Sequence, residues 1–132
     1  MKKRASLCAI ALLFAGLTAV SAEKPAAKPA PKPAAKQAKV TGEVIDSACY
    51  IKSGAKGAGH VGCAQACAKA GIPLALLEDG SNKVVWLASK EDATTPNEQL
   101  LPFAGKKVTV TGSWAERGGA KLLVVDSVQA AK

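Results

Sequence analysis

Four side chains near the middle of this 132-residue sequence could act together: Cys49, His60, Cys63 and Cys67. Thiolates and imidazoles are soft or borderline metal ligands, and thiols also carry out disulfide exchange. His60, Cys63 and Cys67 stand at i, i+3 and i+7, which places them within about 60° of one another on a helix. Cys49 comes earlier, and the glycine-rich stretch Ser53-Gly54-Ala55-Lys56-Gly57-Ala58-Gly59 can turn the chain back toward it. The spacing predicts three donors from one helix face and a fourth from the end of a strand.

These donors have two principal uses. As a Cys3His set they would close a tetrahedral Zn(II) site, and four protein ligands would make that site structural. Cu(I) or an iron–sulfur cluster also suits thiolates. The single close pair is Cys-x3-Cys, which differs from common zinc fingers. No Cys-x-x-Cys-His occurs, so covalent c-type haem is excluded. Haem held without covalent attachment, through His60 or a cysteine, stays open. In the second use Cys49 pairs with Cys63 or Cys67. That disulfide closes a loop of roughly 15 to 20 residues, worth about 3 kcal/mol, and leaves a third thiol for redox or electron-transfer work. In a further alternative the cluster only braces a domain whose business is a cell-envelope partner. Asp46 could orient His60 as a supporting carboxylate, or it could simply end a strand. No Ser-His-Asp set, acid–base pair or phosphate-binding loop can be assigned, so a binding protein is expected over an enzyme.

The elements that must position these residues begin at Val40. Short β-prone runs cover Val40–Asp46, Pro73–Glu78, Lys83–Ala88, Lys107–Trp114 and Lys121–Val128. Asp79-Gly80-Ser81-Asn82 links the second and third as a hairpin, and Glu116-Arg117-Gly118-Gly119 links the last two. Val108 and Val110 alternate with Thr109 and Thr111, the pattern of a sheet with one wet face. A helix is expected over His60–Ala70, closed by Gly71 and Pro73. A shorter one follows Thr95-Pro96-Asn97-Glu98, which reads as a capping box, and Pro102 limits its length. Both tryptophans lie in strands, where core packing is expected.

The amino terminus reads as an export signal spanning residues 1–22. Lys2, Lys3 and Arg4 precede an apolar run of 14 residues, Leu7–Val20, and Val20-Ser21-Ala22 supplies small residues before a cleavage point. Cys8 stands at the near end of the apolar run, which excludes lipid attachment there. Residues 23–39, EKPAAKPAPKPAAKQAK, read as an extended Lys/Ala/Pro spacer, and its lysines offer a contact to the envelope or an acidic partner. The formal net charge is +8. The signal segment carries +3 and the spacer +4, leaving +1 for residues 40–132. Nucleic acid is therefore not an expected partner, and no membrane-spanning segment is expected after cleavage. The protein is expected in the periplasm or outside the cell, where three remaining cysteines form an odd set.

Strand, helical insert, hairpin, short helix, hairpin is the order of a five-stranded OB-type barrel with a helix between strands three and four. Gly42-Glu43-Val44-Ile45-Asp46, Gly105–Gly112 and Leu122–Val128 resemble the first, fourth and fifth strands of small exported bacterial OB-fold proteins. The chain also resembles uncharacterised exported proteins with a Cys…His-x-x-Cys-x-x-x-Cys insert. The resemblance implies an all-β domain over 40–132 with a Cys/His helical insert at about 49–72. It implies no activity.

Overall fold

The computed structural model describes residues 36–132. The signal segment 1–22 and residues 23–35 of the spacer lie outside the described residues. Five strands carry the fold: β1 (Gln37–Asp46), β2 (Leu74–Glu78), β3 (Val84–Ala88), β4 (Lys107–Arg117) and β5 (Ala120–Ala130). Three short helices interrupt them: α1 (Ser47–Ser53) and α2 (Val61–Lys69) between β1 and β2, and α3 (Asn97–Leu100) between β3 and β4. Strand β1 begins at Gln37, not Val40, because its first residues already pair with Ser113, Gly112 and Thr111 of β4.

The strand order is β1-β2-β3-β5-β4, and β1 pairs with both β2 and β4, so the sheet closes into a ring. All neighbours are antiparallel except β3 and β5. Period-two patterning turns Val40, Val44, Leu76, Val85, Leu87, Val108, Val110, Leu123 and Val125 inward, and Leu100 of α3 joins them fully buried. The alternation fails at the end of β1 and throughout most of β2. There Ile45, Ala75 and Leu77 form a second cluster, with Tyr50 of α1 packed against it. A strand covered on both faces has no wet side to mark. That is how the helical insert is seated.

Trp86 departs from the sequence expectation. It is 43 % exposed on β3, because the inward positions on either side belong to Val85 and Leu87. Trp114 does pack against the core, with the Lys121 ammonium 4.1 Å from its ring centre. No helix among the described residues is long and apolar enough to cross a membrane.

Candidate metal centre

The site is assembled by the two helices of the insert. Cys49 does not sit at a strand end; it lies in the first turn of α1. Asp46 ends β1 in an extended conformation, and its Oδ1 accepts the Ala48 and Cys49 backbone N–H groups at 2.9 and 3.0 Å. This is an N-cap, worth about 1 kcal/mol to a helix. Gly54 closes α1 in the left-handed region at φ 71°, where a residue with a Cβ is strained. The sequence signal was the Asp-Ser pair with Gly54 downstream; seven residues of middling helix propensity hid it.

Cys63 and Cys67 stand one turn apart on α2, as the spacing predicts. His60 does not share that helix. It ends a 3-10 turn, Ala58–His60, at φ −108° and ψ 0°, just before α2 begins at Val61. Gly57 and Gly59 disfavour a regular first α-turn, so the segment tightens instead. The turn is held in place from outside. The Gly57 N–H donates to the Glu43 carboxylate on β1, and Gly105 presses close to Gly57 and Val61. A Cβ built on Gly105 would meet Gly57 O and Val61 Cγ2 at 2.8 Å.

The far end of the insert is fixed by Asn97, which is buried and whose sequence context shows only a capping box. Its Nδ2 donates to Ala68 O at 3.1 Å and Ile72 O at 2.9 Å, and its Oδ1 accepts the Leu74 N–H at 3.0 Å. Ser47 Oγ donates to Pro73 O at 2.7 Å. The start of α1 and the exit from α2 are thus tied to the same short stretch. The capping box is partial: Thr95 Oγ1 accepts from Asn97 N at 3.3 Å, while the residue directly before α3 makes no side-chain cap.

These supports bring Cys49, Cys63 and Cys67 together, with the three sulfurs within 4.8 Å of one another. Cys63 is exposed, the other two are half-buried, and no pair is at bonding distance. Cys49 belongs to a second group as well, with donor atoms of Asp46 and His60 all within 4.8 Å. The structure therefore places His60 beside Cys49 and Asp46. Asp46 is fully buried. Its Oδ2 and the Nε2 of His60 are both buried without a hydrogen-bond partner.

The electrostatics follow from this crowding. Burial pushes the Asp46 carboxyl up, but the Cys67 thiol, the Cys49 amide and thiol, and the Ala48 amide favour its charge more strongly. It settles below its ordinary value. The Cys67 thiol is pushed up to about 12, first by the Asp46 carboxylate beside it, then by burial and by Cys63. Burial raises Cys49 in the same direction, with Asp46 and Cys63 adding to it. Without a cation, Cys49 and Cys67 are thiols at neutral pH.

The donor chemistry suits a thiophilic ion. Three sulfurs from two helices converge where a disulfide would need only two, and an imidazole is in reach of one of them. No protein-family model matches this chain, and no curated protein or solved structure matches it either.

Proposed function

We propose that this chain is an exported metal-binding module, structural or carrier in role, whose Cys49, Cys63 and Cys67 grip a thiophilic ion. The observation that carries this reading is the convergence of three unpaired sulfurs within 4.8 Å. Zn(II) is the leading occupant, because it accepts sulfur, nitrogen and oxygen, and His60 is the imidazole available to it. Cu(I) or an iron-containing group would use the same sulfurs. Exposure of Cys63 gives a partner thiol a route to the ion, which suits a carrier. The closed strand order, the parallel β3–β5 pair and the helix between β3 and β4 support an OB-type barrel as the scaffold. Export rests on the charged, apolar and small-residue regions of residues 1–22.

The test is intact mass and elemental analysis on protein recovered from the periplasm without chelators. Bound metal of at least one equivalent, with a mature chain starting after Ala22, is expected. Metal-free protein two mass units light would replace this reading with the disulfide.

A further inference from the structure

Cys49 is the only residue common to the two donor groups, and two members of the second group, Asp46 and His60, each carry a buried polar atom without a hydrogen-bond partner. We propose that the centre takes two divalent cations of the Zn(II) class, bridged by the Cys49 thiolate. One is held by Cys49, Cys63 and Cys67, the other by Asp46, Cys49 and His60. This rests on the metal-binding reading above and extends it to a pair.

The structural duties of Asp46 do not account for its whole side chain. Capping α1 occupies Oδ1 alone. Oδ2 is left buried without a partner in a residue with no exposed surface, and Nε2 of the neighbouring His60 is also buried without one. A buried polar atom without a partner costs about 1–3 kcal/mol. A cation between Asp46, Cys49 and His60 would give donors of both residues a partner. The mixed oxygen, nitrogen and sulfur set suits Zn(II) better than Cu(I), which prefers sulfur.

Charge points the same way. Three thiolates and one carboxylate carry four negative charges. One divalent cation would leave two of them uncompensated in a partly buried site, and isolated charge there is unfavourable. Two divalent cations balance the set. Zn(II) has no preferred geometry of its own, so a shared thiolate imposes no electronic penalty. Cys63 is the exposed member of the first trio, whereas the second contains Asp46, which has no exposed surface.

The experiment titrates reduced, metal-stripped protein with Co(II), then Zn(II), following sulfur-to-cobalt absorption, bound metal per chain and the electron paramagnetic resonance signal. Two equivalents are expected, and the signal per cobalt should fall as the second enters, because a shared sulfur couples the two spins. Asp46→Asn keeps an oxygen that can cap α1 but removes the charge. It should saturate at one equivalent with the sulfur absorption retained. His60→Ala, in a short turn, should do the same. Cys49→Ser should lose the second ion and weaken the first at least tenfold. Saturation of the unaltered protein at one equivalent overturns the pair while leaving the single-metal reading intact. Two equivalents in either Asp46→Asn or His60→Ala also overturns it. Absence of any binding overturns both.

Discussion

Replacing Asn97 by alanine removes three hydrogen bonds at once from the point where the insert rejoins the sheet. The Leu74 N–H and the Ala68 and Ile72 carbonyls would lose their side-chain partner. The Ala68 carbonyl keeps the Gly71 N–H as a partner, so two groups are left unpaired at about 1–3 kcal/mol each, which sets a ceiling of about 6 kcal/mol. The smaller alanine leaves space beside exposed residues, including Lys69, Gly71 and Glu98. Water can therefore recover part of the loss. The expected cost is about 2–4 kcal/mol, a large part of the 5–15 kcal/mol typical of a domain. Urea unfolding of the metal-free protein measures it as a lower midpoint at unchanged slope. Hydrogen exchange at Leu74 should accelerate, and more than at Val110 in the far wall of the ring. Asn97→Asp should be at least as damaging, because it turns a donor toward two carbonyls into an acceptor. A cost below about 0.5 kcal/mol for Asn97→Ala, with Leu74 exchange unchanged, would refute the idea that this side chain clamps the insert.

Other consequences follow from the same contacts. Gly105→Ala puts a Cβ 2.8 Å from Gly57 O and Val61 Cγ2 at a φ of +69°. It should cost roughly 2–3 kcal/mol and weaken metal binding in a titration, whereas Gly118→Ala, also at positive φ but in open space, should cost about 1 kcal/mol and leave binding alone. The raised Cys49 and Cys67 thiols must give up their protons to a metal, so calorimetry in buffers of different ionisation enthalpy should show proton release, and affinity should rise with pH. For the metal-free protein the sign at alkaline pH is the reverse of stabilisation. Cys67 moves from 9.0 to about 12 on folding, so its contribution is whole below pH 9 and is lost as pH rises toward 12. Cys67→Ser should flatten that part of the stability profile.

Much of the scaffold was legible because its signals are local. Val108 and Val110 announce β4 by alternation, and Asp79–Asn82 announces the β2–β3 turn. Period two also contains the exposure of Trp86, since Val85 and Leu87 claim the inward positions. Its size, not its phase, suggested the core. The failures cluster in the insert. Helix α1 has no amphipathic repeat long enough to show, and it exists because Asp46 caps it and Tyr50 covers Ile45, Ala75 and Leu77. The placement of His60 on α2 assumed an unbroken helix, which Gly57 and Gly59 prevent.

The residues alone determined the donor types, the one-turn separation of Cys63 and Cys67, and the inward faces of the strands. These depend on chain periods of 3.6 and 2. What Cys49 touches depended on something else. Asp46 lies opposite Leu74 in the β1–β2 pairing, and Ser47 bonds to Pro73, so the start of α1 meets the exit from α2. That meeting sets Cys49 within reach of Cys63 and Cys67 and of Asp46 and His60. No helical or strand period spans the chain between Cys49 and Cys67. Only closure of the sheet, with Asn97 holding the insert's end, brings the two helices to one place.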